Sequence, residues 1–207
     1  MNIIENIKFN EFDQLALISA LKSYKYPKDK IASLIEAGLL LRVKRGIYIK
    51  SKGEKNNFFY SKEIVANLIY GPSYISLEYA LSFYGVIPER VEVVTSVTNK
   101  RKKEFSTPIG SFSYSAINKL YYPAGVLWQK MDDGRGFFIA SREKALIDKL
   151  YFEEKLYTQK EMAQYIFQNL RIEKTSIKEF NVNLIKEILF PYKKKSLLNL
   201  IKVIEKL

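Results

Sequence analysis

Two of the side chains that carry most enzymatic acid–base and nucleophilic chemistry are missing, because the 207 residues contain no histidine and no cysteine. A Ser-His-Asp triad and a zinc-protease motif are therefore impossible, and a zinc site would lack both of its usual nitrogen and sulfur ligands. Carboxylate, lysine and tyrosine chemistry remains. The densest carboxylate and lysine grouping is Asp132, Asp133, Glu143, Lys144 and Asp148, the residue types a metal-dependent nuclease uses. On a helix the spacing of Glu143 and Asp148 turns them about 140° apart, which is poor geometry for one shared ion. The expected reading is a charged turn at 132–133 and a solvated helix face, with no catalytic residue and no metal. Neither a GxxxxGK[ST] loop nor a GxGxxG fingerprint occurs, and Gly134 and Gly136 sit in a hairpin-like turn, so no nucleotide cofactor is expected.

The basic residues offer a different chemistry. Lys and Arg number 34 against 22 Asp and Glu, a net charge of +12, and such a field attracts polyanions. The excess is concentrated at both ends. Residues 1–60 hold 11 basic and 6 acidic groups, residues 61–140 hold 9 and 7, and residues 141–207 hold 14 and 9. Arg42, Lys44 and Arg45 crowd the turn beside Gly46 and could clamp phosphates. Upstream, Lys28, Lys30 and Ser33 are candidate groove-facing residues, with Glu36 as a possible acceptor for cytosine N4. A second basic patch, Lys100, Arg101, Lys102 and Lys103, reads as a solvated loop or a contact to phosphate or an acidic partner. A third, Lys193–Lys195, heads the last helical stretch, where cations oppose the helix dipole.

The elements that would position these residues follow from periodicity. An amphipathic helix is expected over Glu11–Ser23, using Phe12, Leu15, Ala16, Ile18 and Leu21. After a turn at Lys22–Tyr26, Pro27 opens a second helix with Ile31, Leu34 and Ile35 on its apolar face, and Gly38 stops it. Leu39–Val43 and Ile47–Lys50 then form a hairpin turned at Gly46. Helix, turn, helix and hairpin outline a winged helix-turn-helix. The polar stretch 51–61 is the expected junction. Beyond it come helices at Lys62–Leu68 and, capped by Ser76, at Ser76–Gly85. A β-meander should follow, with strands at Val91–Thr98, around Phe112 and Tyr114 after the Thr107–Gly110 turn, at Leu120–Leu127 and at Gly136–Ile139. A Ser-capped helix covers SREKALIDKLYF, and residues 158–207 are mainly helical with a break at Pro191.

Three stretches carry a family resemblance: AGLLLRVKRGIYI, then PSYISLEYALSFYGVIPERVEVVTSVTNKRKKEFSTPIGSFSY, then IASREKALIDKLYF. In order and spacing, over Ala37–Phe152, they resemble the AbiEi family of antitoxins from bacterial type IV toxin-antitoxin pairs. The resemblance implies a repressor of its own operon, whose larger domain counters a toxin with a nucleotidyltransferase-like fold, with or without direct contact. The expectation is therefore an α+β protein. Residues 1–55 form a winged helix-turn-helix binding double-stranded operator DNA, and 61–207 form an antitoxin domain, mixed helix and β-meander over 61–155 and mainly helical over 156–207. A cytoplasmic location is expected, since the amino terminus lacks a signal-type apolar run and no apolar stretch approaches the roughly 20 residues of a membrane span. A winged-helix regulator without a toxin and a metal-dependent nucleic-acid-processing enzyme are the alternatives.

Overall fold

The computed structural model describes residues 7, 9–51, 60–154, 156 and 158–207. The chain is α+β, with two sheets, and it divides into two compact units: 1–71 together with 106–110, and 72–105 together with 111–207.

In the first unit the expected opening helix splits in two. Glu11–Asp13 is a short strand, β1, and the helix α1 is confined to Gln14–Ala20. The reason is local: Asp13 takes an extended conformation and its carboxylate accepts the Ala16 N–H at 2.7 Å, so the helix is capped there. The buried stripe is also shifted by the late start. Leu17 and Leu21 are fully buried, whereas Leu15, expected on the apolar face, is 78% exposed. Helix α2, Pro27–Glu36, begins with proline at its first turn as expected and buries Ile31 and Leu34. Its end is a Schellman turn: Gly38 has φ +69°, its N–H donates to Ile35 O, and the Leu39 N–H donates to Leu34 O.

Strands β2 (Leu40–Lys44) and β3 (Ile47–Lys50) form the expected hairpin, and β1 adds to it in the order β1-β3-β2, all antiparallel. The register slips between Arg42 and Lys44, a bulge at Val43. Phe12, Leu17, Leu21, Ile31, Leu34, Leu40 and Tyr48 make one core, and each large aliphatic member contributes about 1.5–3 kcal/mol by leaving water. The expected junction at 51–61 falls mostly outside the described residues. Helix α3, Lys62–Ile69, which was expected to open the second domain, packs on β1 and β3 within the first unit. Two contacts hold it there: the buried Glu11 carboxylate accepts the Ser61 N–H at 2.5 Å, and Lys44 Nζ donates to Ile69 O at 2.9 Å.

The second unit holds all but residues 106–107 and 110 of a six-stranded sheet that is not a meander. Its strands are β4 (Ser73–Ile75), β5 (Val94–Thr98), β6 (Lys103–Thr107), β7 (Gly110–Ala116), β8 (Val126–Lys130) and β9 (Gly136–Ala140), in the order β6-β7-β5-β4-β9-β8. The pairs β5/β7 and β4/β9 are parallel. The strand expected from Leu120 begins only at Val126, because 120–125 turns through Pro123 and Gly125, the latter at φ +78°. Between β4 and β5 lies α4 (Leu77–Phe83), and after β9 comes α5 (Arg142–Phe152), which packs on α4 and on α8 (Val182–Leu189). Between α5 and α8 lie α6 (Gln159–Gln164), a π turn at Tyr165–Asn169 and α7 (Lys174–Lys178). A 3-10 turn at Lys195–Leu197 leads into α9, Leu198–Ile204, which packs on α6 and α8. Among the described residues no helix is long and apolar enough to cross a membrane.

Candidate nucleic-acid interface

The first unit places the candidate DNA-contacting residues on two adjoining elements, since α2 packs against β2. On α2, Lys28, Asp29, Ser33 and Glu36 are exposed, while Lys30 is half-buried with its ammonium 5.3 Å from the Tyr24 ring centre. On the hairpin, Arg42 and Arg45 are exposed and have no ion pair with a described residue. Lys44 differs from them. Its ammonium sits on Ile69 O at the C-terminal end of α3, where a cation also meets the negative end of the helix dipole. The three cations therefore do not act alike: two face solvent and one fastens the hairpin to a helix.

The tip itself is held from below. Gly46 takes φ +85°, and its carbonyl accepts the Gln14 N–H at 2.8 Å, so the first residue of α1 is tied to the turn. A hairpin anchored at both Gly46 and Lys44 presents its arginines from a fixed base, which lowers the ordering cost of any contact they make. Sequence reasoning passed over Tyr24, Lys25 and Tyr26, in the turn before α2. Tyr26 is 61% exposed and lines a shallow groove of about 300 Å³ with Ile18, Pro27 and Lys28. The alternation Lys22-Ser-Tyr-Lys-Tyr was the available signal, because interleaved cations and aromatic rings are what phosphate and base surfaces accept.

The second basic patch lies in the second unit. Lys100, Arg101, Lys102 and Lys103 are all exposed, and Lys103 is the first residue of β6. Lys102 reaches Glu104 at 3.7 Å with both side chains about 70% exposed, a pairing worth little.

The former nuclease candidates separate in space and character. Asp132 and Asp133 are exposed in a turn, as expected, with Asp133 bound to Arg135. Glu143, Lys144 and Asp148 are not on a solvated face: they are buried, Lys144 and Asp148 completely. The correction has a tertiary cause, since α5 is covered by α4 on one side and α8 on another. Lys144 Nζ lies 2.8 Å from Asp148 Oδ1 and donates to Tyr121 O and to Tyr192 Oη. Asp148 also accepts from Tyr74 Oη at 2.9 Å, Ser76 Oγ at 2.8 Å and Tyr192 Oη at 3.1 Å. Both carboxylate oxygens are thus occupied by protein donors. Glu143 points elsewhere, accepting the Asn181 N–H. Among the described residues no three His, Cys, Asp or Glu side chains gather as a metal site.

Ser76, expected to cap α4, gives its hydroxyl to Asp148 instead. Thr95 takes over the capping: its Oγ1 accepts the Tyr79 N–H and donates to Ser76 O. The following residue, Leu77, is held at φ +58°, a conformation a leucine adopts only when its surroundings impose it. One member of the third basic cluster is likewise explained by packing, while Lys193 and Lys195 are exposed. Lys194 donates to the carbonyls of Leu150, Tyr151 and Glu153, closing the C-terminal end of α5 rather than opposing a dipole.

No family model matches the chain, and no curated protein matches it. Among solved structures it is similar in fold to the crystal structure of RV2827C protein from Mycobacterium tuberculosis, with a TM-score of 0.59 and 9% identity, covering 98% of this chain and 75% of that one. At that identity the likeness is one of fold.

The buried cluster sets a pH response. Burial, helped by the Asp148 charge, pushes the Tyr192 and Tyr74 hydroxyls far above their ordinary value of about 10. Burial also pulls Lys144 below its ordinary range, more than Asp148 restores. The two effects have opposite sign. Raised tyrosines contribute stability that is complete below pH about 10 and lost as pH climbs toward their folded values. A lowered lysine contributes stability that grows with pH up to about 10.5 and then stays constant. Above pH about 10.5 the lysine's contribution is constant, and the tyrosines, together with the raised Lys149, make stability fall. The urea midpoint should therefore fall between pH 10.5 and 11.5, and the fall should be shallower in Tyr192→Phe; an equal slope in the variant would show that Tyr192 ionises freely.

Proposed function

We propose that this chain is a DNA-binding antitoxin of the type IV class, similar to the AbiEi family, and that it represses its own operon without a catalytic centre of its own. In this reading the first unit is a winged helix-turn-helix. Helix α2 enters the major groove of double-stranded DNA with Lys28, Lys30 and Ser33, and the β2–β3 hairpin is the wing, laying Arg42 and Arg45 on phosphates. The observation that carries the reading is the pairing of an exposed, polar α2 with an adjoining hairpin whose two arginines are exposed above a fixed base. The chain's net charge of +12 supports it, because phosphate contacts supply most of the affinity of such modules.

The antitoxin half rests on the three sequence stretches. Two of them meet in space: Tyr74, Ser76 and Glu78 from one bond to Asp148 and Lys149 from the other. These bonds hold β4 and the start of α4 against α5, and Tyr74, Ser76 and Asp148 among them are fully buried. The partner in this reading is a nucleotidyltransferase-like toxin encoded by the adjacent gene. Induction of that gene should arrest bacterial growth, and co-expression of this chain should restore it. A harmless neighbour, or arrest that persists despite good expression of this chain, would leave only a winged-helix regulator.

A further inference from the structure

Helix α2 does not present one kind of surface along its length. Its later turns expose Ser33 and Glu36, whereas its start exposes the Tyr26 ring beside a groove walled chiefly by the apolar surfaces of Ile18, Tyr26 and Pro27, with Lys25, Lys28 and Asp29 completing the lining. The turn that carries this ring is braced. The Tyr24 N–H donates to Leu21 O at 3.0 Å, the Lys30 ammonium lies 5.3 Å from the Tyr24 ring centre, and the Lys25 ammonium lies 5.4 Å from that of Tyr26. A ring held in this way gives up less freedom on contact than a loose one.

Charge and position identify what the groove meets. Residues 22–30 hold four lysines, Lys22, Lys25, Lys28 and Lys30, against one acid, Asp29, so the surroundings attract a polyanion. The groove is also continuous with the α2 face of the DNA interface proposed above. The hairpin tip is bonded to Gln14, where α1 begins, and the turn follows the residue where α1 ends. The seven residues of α1 therefore set tip and turn roughly 10 Å apart, close to the ~12 Å width of a major groove. In that groove a base pair shows hydrogen-bonding groups and one apolar feature, the C5 methyl of a pyrimidine. An apolar cleft offers nothing to a phosphate, and Asp29 in its lining repels one, so the methyl is what fits. Asp29 suits the rest of the pair as well, because a pair bearing such a methyl also presents an amino donor, adenine N6 or cytosine N4.

We propose that Tyr26, with Ile18 and Pro27, reads the C5 methyl group of a pyrimidine in the operator, while Lys25 and Lys28 meet the flanking phosphates. This contact presupposes the DNA-binding reading and makes Tyr26 a residue of specificity. Thymine or 5-methylcytosine supplies the methyl.

The probe is the DNA immediately upstream of this chain's gene, amplified in three forms: ordinary, with uracil in place of thymine, and with 5-methylcytosine in place of cytosine. Uracil pairs as thymine does and lacks only the methyl. The full chain is compared with Tyr26→Phe, which keeps the ring, and Tyr26→Ala, which removes it; Tyr26 is 61% exposed, so both keep the fold, which thermal melting checks. The parent and Tyr26→Phe should bind the uracil form about fourfold more weakly for each methyl contacted, the transfer free energy of one such group, and in Tyr26→Ala the uracil penalty should be smaller by that factor. If 5-methylcytosine is the source instead, uracil has no effect and the methylcytosine form binds about fourfold more tightly, again only when the ring is present. A response to either base that is equal in the parent and Tyr26→Ala overturns the proposal. So does a Tyr26→Phe that behaves like Tyr26→Ala, because the hydroxyl and not the ring would then make the contact. If neither base changes the parent's affinity, the groove reads no methyl while DNA binding stands. If the parent binds no upstream fragment even at low salt, the DNA-binding reading fails and this contact with it.

Discussion

Lys144→Met should destabilise the protein by about 3–5 kcal/mol, since removing one partner of a buried ion pair leaves the other uncompensated. Asp148 is wholly buried, and without the ammonium its carboxylate keeps only the hydroxyls of Tyr74, Ser76 and Tyr192. Asp148→Leu should be at least as damaging. It strands a buried ammonium together with three hydroxyls, each of which is deprived of an acceptor at about 1–3 kcal/mol. The double variant Lys144→Met, Asp148→Leu should be less unstable than the sum of the singles, with a coupling of about 0.5–3 kcal/mol. Urea unfolding of the four proteins measures the cycle. Additive losses, or a Lys144→Met midpoint equal to the parent's, would mean that the pair is not closed off from water as the packing of α4, α5 and α8 implies.

On the DNA side, changing both Arg42 and Arg45 to alanine should weaken operator binding by about 100-fold at moderate salt. It should also flatten the plot of log affinity against log salt by about 1.8, or about 0.9 for each phosphate no longer neutralised. The two arginines are exposed and the hairpin that carries them is fixed at Gly46 and Lys44, so the weakening reports on the arginines themselves rather than on disorder. Lys44→Ala should behave differently. Its ammonium bonds Ile69 O, so the expected effect is on stability, with the salt slope nearly unchanged. Ser33→Ala, on the exposed face of α2, should alter discrimination between operator sequences more than overall affinity, because base contacts specify and phosphate contacts position. Fluorescence titrations across a salt series separate these outcomes. A slope unchanged by the double arginine variant would remove the hairpin from the interface.

How far each element could be read from sequence follows from where its determinants lie. Helix α2 was legible because Pro27, the apolar stripe and Gly38 are all local signals. The hairpin was legible because Gly46 and two β-prone flanks are adjacent in sequence, and α5 because Ser141 caps it by accepting the Lys144 N–H. Strand β1 was hidden, since three residues carry no periodicity and its pairing partner, β3, begins 34 positions later at Ile47. The meander expected from hairpin spacing gave way to parallel pairing of β5 with β7, because β6 leaves its predecessor's side and takes the edge of the sheet. Charge misled in the same way at α5. Glu143, Lys144 and Asp148 look solvated to any local rule, and only distant donors and acceptors make their burial tolerable.

By itself, then, the sequence determined what acts over a few residues or over the whole composition. That covers the absence of histidine and cysteine chemistry, the basic field, the caps and turns of α2, the hairpin and α5, and the order of the motifs that resemble an antitoxin family. The tertiary structure decided which of those charges reach solvent. It placed Arg42 and Arg45 outside, tied Lys44 and Lys194 to helix ends, and enclosed Lys144 with Asp148. The partners that settle Asp148 lie 44, 72 and 74 residues away in the chain. A charge is buried or solvated according to the groups that surround it in space, and no local pattern specifies groups at that separation.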